Sequence, residues 1–444
     1  MSGNEKRYFK LFAAQNHTKN AKNYMELYAA MMEMEKYDAE KLKARFEGQS
    51  IGKYLSSEKH YLYQLILRSL RAHHAGHSPE AAVHDLLLNA RLLHKKGLVS
   101  QAAKQLRRAR EKARAFELHH LELEILDLQV VNAHFFAEKD MVAHIRDLSE
   151  TKAALLHKLA QSQIVFSAYH PYSANTRAAA HRKRRPEDLL SEADLSRILV
   201  IPDTELTVLA RIFRAQLVWQ HAHQARDMSA AFEAQQTTVA LWEAHPHLID
   251  RSPNRYKIAL ANLLSAAFFV SRYDLFPGIL TKIADLPNAS FDEEAEMFQN
   301  LFFYRLIWKM NTCAWLEAEA LVPEIRAGLK TYAARINAGR HLGFFFNVAV
   351  LYLVRGRWSA ARRWNREILD FPPTKLREDL QQFAHLLDLI LLACQQEFDL
   401  LEYRIRAARR HLRKRGVLIE FDRILLRCLQ QLCKHPDRFV SPEW

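Results

Sequence analysis

The sequence predicts an all-α chain, an α-solenoid of antiparallel helix pairs stacked side by side. Three observations point there. Glycine and proline number only 11 and 13 in 444 residues, well below the average usage of about 7% and 5%, so few turns are made. Apolar residues recur at helical spacing along most of the chain. One helix–turn–helix grammar also returns every 40–45 residues. A chain of 444 residues exceeds the roughly 250–300 at which one core stops growing, which fits an elongated array better than a single globule.

The grammar is plainest in LVRGRWSAARRWNREILDFPP, residues 353–373. An apolar run ending in Leu351 and Tyr352 predicts a first helix, and Gly356 predicts its stop, because a left-handed glycine lets the chain reverse without a Cβ clash. Trp358, Ala361 and Ile368 open a second helix. Trp358 is expected to wedge between the pair and Ala361 to let the backbones approach. Pro372 and Pro373 end the second helix, since proline lacks the donor that continuation needs. LLHKKGLVSQAAKQLRRAREKA, residues 92–113, repeats the pattern with Gly97, Val99, Ala102, Leu106 and Ala109. Weaker copies centre on Met141, Met228, Tyr273, Trp315 and Phe398. Successive wedge positions stand 42, 87, 45, 42, 43 and 40 residues apart, so one period fits all but the second interval. That interval holds the one break in composition, YSANTRAAAHRKRRPEDLLSEADLS.

The turn pattern resembles the tetratricopeptide repeat: Tyr352, Gly356, Trp358, Ala361 and Pro373 match, whereas Asn365 and Ile368 depart from the family's aromatic and alanine. The period exceeds the family's 34, so these would be longer-helix variants. The resemblance implies a right-handed superhelix with a concave groove lined by first helices. It also implies a partner-binding set there: Asn262 and Asn347, where family members often grip a peptide backbone, Tyr304 at the same position between them, and Arg305 and Arg340 as charges for an acidic ligand.

The expected organisation is a helical capping module over residues 1–78, first repeats over 79–171, a basic exposed linker over 172–196, a second array over 197–415 and a capping helix and tail over 416–444. Caps are needed because a terminal repeat exposes an apolar face.

Signatures of chemistry are sparse. GQSIGKY, Gly48 to Tyr54, has one residue too few for a phosphate loop, a tyrosine where magnesium needs a hydroxyl, and a helix pattern before it, so it is read as an interhelical turn. Histidines number 22, yet neither HExxH nor paired CxxC occurs, and Cys428, Cys433 and His435 supply one ligand too few for structural zinc. There Cys428 and Leu432 are expected to face the core. No nucleophile elbow is present. The sequence thus argues for neither enzyme, metal nor cofactor. Four cysteines and no apolar leader segment suggest a reducing, cytoplasmic setting. The longest uncharged apolar runs, 14 residues each, fall short of the roughly 20 that cross a bilayer, so no membrane partner is expected.

The net charge of +14 leaves two partner classes open. A protein or peptide, acidic in character, would sit in the groove of a scaffold or adaptor. Nucleic acid would use basic surfaces, with Arg182, Lys183, Arg184 and Arg185 in the linker and Arg406 and Arg410 on a later helix as contacts. The same residues could equally be solvated surface. A ligand- or peptide-sensing regulator is the third alternative.

Overall fold

The computed structural model describes residues 3–15, 21–34, 37–75, 78–133, 140–179, 191–288, 290–372, 377–414 and 420–435. Among them the fold is all-α, with no strand. The chain divides into two units, residues 1–156 and 157–444.

In the first unit, α1 (Gly3–Gln15), α2 (Ala21–Met32), α3 (Ala39–Arg45), α4 (Ser50–Lys53) and α5 (Leu55–Ala75) gather around Phe9, Tyr24, Leu27, Leu42 and Ile51. GQSIGKY is the interhelical turn its sequence predicts: Gly48 reverses the chain with φ of 77°, and α4 is one helical turn. α6 (Pro79–Lys95) is opened by the Ser78 hydroxyl, which accepts from Ala81 N at 3.2 Å. It packs on α7 (Val99–Ala115), and α7 on α8 (His119–Val131), around Leu87, Ala90, Leu106 and Ile125.

α9 (Met141–Ala179) carries the boundary between the units. The expected linker is therefore partly helix: residues 172–179 complete α9, and α10 (Glu192–Leu199) already includes residues 192–196. Alanines in SANTRAA favour the helix, and Val165, Phe166 and Tyr172 anchor it in the core of the second unit, which outweighs Pro171 within it. Residues 180–190, with Arg182, Lys183, Arg184 and Arg185, lie outside the described residues.

The second unit continues with α11 (Val208–Gln224), α12 (Met228–Glu243), α13 (Pro246–Arg251), α14 (Pro253–Phe269), α15 (Phe276–Asp285) and α16 (Phe291–Asn311). Then come α17 (Trp315–Ala320), α18 (Val322–Thr331), α19 (Ala338–Val354), α20 (Trp358–Leu369), α21 (Glu378–Cys394), α22 (Phe398–Lys414) and α23 (Glu420–Lys434). Neighbours in sequence pack on one another, α11 on α12, α12 on α14, α19 on α20, α20 on α21 and α21 on α22. The long helices α14, α16 and α19 also touch in succession.

The predicted turn grammar is present. Gly97, Arg226, Ser271, Cys313, Gly356 and Gln396 all hold positive φ, between 57° and 76°. The residue after each donates its N–H to the carbonyl five residues back at 2.8–3.0 Å, as Arg357 does to Tyr352. This is the bond pattern of a left-handed helix stop, and it satisfies carbonyls the ended helix leaves free. Val99, Met228, Tyr273, Trp315, Trp358 and Phe398 begin the next helix or 3-10 turn. Three residues on, Ala102, Ala231, Phe276, Ala318, Ala361 and Leu401 are each no more than 4% exposed. Seven on, Leu106, Gln235, Leu280, Val322, Asn365 and Ile405 are buried to the same degree.

Two expectations need correcting. Trp358 does not wedge: it is 39% exposed, at the first residue of α20 and beyond the end of α19 at Val354. Trp364, 4% exposed, fills the interhelical space instead. On α23, Leu432 packs against the core as expected, but Cys428 is exposed; Leu429, buried beside Leu401 and Ile405, and Cys433 take the inward positions instead.

Candidate functional site

The residues implied for a groove lie on α14, α16 and α19, and only some meet. The Arg340 guanidinium lies 4.3 Å from the Phe303 ring centre and 5.8 Å from that of Tyr304, within cation–π range of both. Tyr304 is 8% exposed and packs edge-on against Phe276. Arg305, half-buried, rests over Phe302 at 5.9 Å. The two asparagines join neither contact. Asn347 donates its side-chain amide to Gly343 O of its own helix at 2.7 Å, and Asn262 is half-buried on α14. Arg255 of α14 adds an arginine on an aromatic face that sequence reasoning missed, over Phe213 at 5.7 Å.

A concave site occurs elsewhere, between α18 and α20 with α19 as its floor. It is a cleft of about 780 Å³. α20 creates one wall: Ala361, Trp364, Asn365 and Ile368 turn inward at helical spacing, which sends Arg363 and Arg366 outward. Arg326 and Lys330 of α18 form the other wall. Arg326 lies over the Trp364 ring at 4.7 Å. Phe345, Tyr352 and His341 of α19 line the base, and Glu367 and Asp370 stand along the α20 side.

The electrostatics are one-sided. No carboxylate among the described residues pairs with Arg326, Lys330, Arg363 or Arg366, whereas neighbouring arginines are neutralised. Arg355 and Arg357 reach Glu319 at 3.4 and 2.6 Å, and Arg362 reaches Glu397 at 2.9 Å. Burial raises the Tyr352 phenol, with Glu319 adding to the rise and Arg357, Arg326 and Arg363 opposing it. Burial lowers the His341 imidazole despite hydrogen bonds to Asn337 and Ile336, so its ring is neutral near pH 7.

Among the described residues, the other basic contacts expected from the sequence assemble no comparable site. Arg406 pairs with Glu402 at 3.3 Å on an exposed helix face, and the side chain of Arg410 lies outside the described residues. Nor do His, Cys, Asp and Glu gather in threes suited to a metal ion among the described residues, where no helix is long and apolar enough to cross a membrane.

Compared with family models, with curated proteins and with solved structures, the chain matches none.

Proposed function

We propose that the chain is a non-enzymatic interaction scaffold: a right-handed α-solenoid of long, tetratricopeptide-like helix pairs that holds an acidic segment of a partner protein. The observation that carries this reading is the cleft in which Arg326, Lys330, Arg363 and Arg366 stand without carboxylate partners. Like charges held together repel, and entry of a ligand carboxylate relieves that repulsion through charge-assisted hydrogen bonds. The stacked guanidinium of Arg326 keeps its N–H edge free for a planar carboxylate. A net charge of +14 steers such a partner and raises its association rate. A peptide suits the cleft better than a polynucleotide, because Glu367 and Asp370 oppose a continuous run of phosphates.

The test is a titration with a labelled glutamate-rich peptide, its lysine counterpart and single-stranded DNA, across a salt series. The acidic peptide binds best, and Arg326→Glu combined with Arg363→Glu weakens it by at least about tenfold, the size of one lost charge-assisted bond. Equal binding of DNA, or indifference to the charge reversal, defeats the reading. Arg305→Glu with Arg340→Glu reports whether the first-helix surface takes part.

A further inference from the structure

A second concave surface lies in the first unit and shares no residue with the cleft. α6, α7 and α8 enclose a groove of about 320 Å³. Its base is Ala102, Ala103 and Leu106 of α7, all 4% exposed or less. Its lips are apolar yet open to solvent: Leu88 and Leu92 of α6 are 56% and 52% exposed, and Val131 of α8 is 74% exposed. Leu88 and Leu92 stand four apart, so they form one ridge of α6. The alanines opposite leave a furrow in which another helix's ridge fits.

We propose that this groove docks an amphipathic helix of a partner protein whose polar flanks are acidic. Charge sets the flanks: the ionisable residues lining the groove, Arg91, His94 and Lys95, include no carboxylate, and Lys95 has no carboxylate partner among the described residues. Glu124, the nearby carboxylate of α8, is already taken by Arg91 at 2.5 Å. Apolar lips that extend beyond the cavity argue for a helix over a small amphiphile, because small-molecule sites enclose most of their ligand. A helix meets the groove with side chains at i, i+3, i+4 and i+7 and leaves its flanks against the basic rim.

The experiment measures fluorescence anisotropy of three synthetic helices on the full-length protein. One has a leucine face with glutamate flanks, the second the same face with lysine flanks, and the third serine in place of leucine. The glutamate-flanked helix binds tightest. Leu92→Lys, at a position too exposed to govern folding, weakens it by at least about tenfold, the worth of one buried leucine. Lys95→Glu narrows or reverses the preference between flanks, and Arg326→Glu with Arg363→Glu leaves binding unchanged, which separates this site from the cleft. Circular dichroism and melting of each variant report that the fold is kept. Equal affinity for both flanks, no response to Leu92→Lys, or a concentration-dependent self-association that Leu92→Lys abolishes overturns the proposal.

Discussion

Asn365 Nδ2 donates to the carbonyl oxygen of Ala384 at 2.9 Å, and both residues are fully buried. Gln235 Nε2 makes the same bond to Ala259 O at 2.9 Å. In both cases the eighth residue of a second helix clips the seventh residue of the next long helix, α20 to α21 and α12 to α14. At that register the other second helices carry Leu106, Leu280, Val322 and Ile405. The oxygens Asn365 Oδ1 and Gln235 Oε1 have no partner among the described residues. Asn365→Ala therefore costs about 1–3 kcal/mol from the lost bond and the space left behind. Asn365→Leu is near neutral or stabilising, because it also removes an unsatisfied oxygen. Urea denaturation of the three proteins measures the order.

Gly328 of α18 faces the Phe298 ring so closely that an added Cβ would sit 2.0 Å from a ring carbon. Gly328→Ala thus forces the two helices apart, at about 1–3 kcal/mol or more. Gly278 of α15 has nothing within 4 Å of the same position, so Gly278→Ala stabilises by about 0.5–1 kcal/mol through helix propensity. Opposite shifts in melting temperature check the pair.

The left-handed stops make a graded prediction. Gly356 holds φ of 67° at no steric cost, whereas Arg226 and Gln396 both hold 60° with a Cβ present. Gly356→Ala destabilises by about 1 kcal/mol, and Arg226→Gly or Gln396→Gly stabilises by up to about 1 kcal/mol. Calorimetry of the single variants settles the sign at each turn.

Glu243 sets part of the acid sensitivity. Burial favours its neutral form, but the hydrogen bonds from Lys282 and Tyr256, both 2.6 Å, outweigh that and hold its carboxyl below the usual carboxylate range. A carboxyl depressed by folding contributes stability above its unfolded pKa and loses it as pH falls through the folded value. The wild type therefore sheds this contribution below about pH 4.5, the ordinary glutamate range. Glu243→Gln flattens that part of the melting-temperature profile and leaves the neutral-pH fold intact.

The six hairpin bends were legible because each leaves marks at fixed spacing: an apolar first residue, a small or apolar residue three later and, in four of the six, another apolar one four further on. They survive even at Arg226, Ser271, Cys313 and Gln396, where the glycine is missing. Trp358 misled because residue type reveals that a side chain is apolar but not whether the neighbouring helix extends far enough to cover it. α9 misled because the composition and run of charges in residues 172–196 read as a break, while the packing of Val165 and Tyr172 that holds the helix is tertiary. In the cleft, Arg363 and Arg366 were visible as a basic helix face. Arg326 and Lys330 were not, since Leu321 and Pro323 interrupt the second helix there and its outward face cannot be projected from the turn at Cys313. Asn365, a misfit by family pattern, is a clip between repeats, which only the position of Ala384 could disclose.

The chain of neighbour-to-neighbour contacts from α11 to α22 has a kinetic consequence. Each left-handed turn is fastened by residues close in sequence, so a helix pair that opens locally keeps its partners near at hand and closes again quickly.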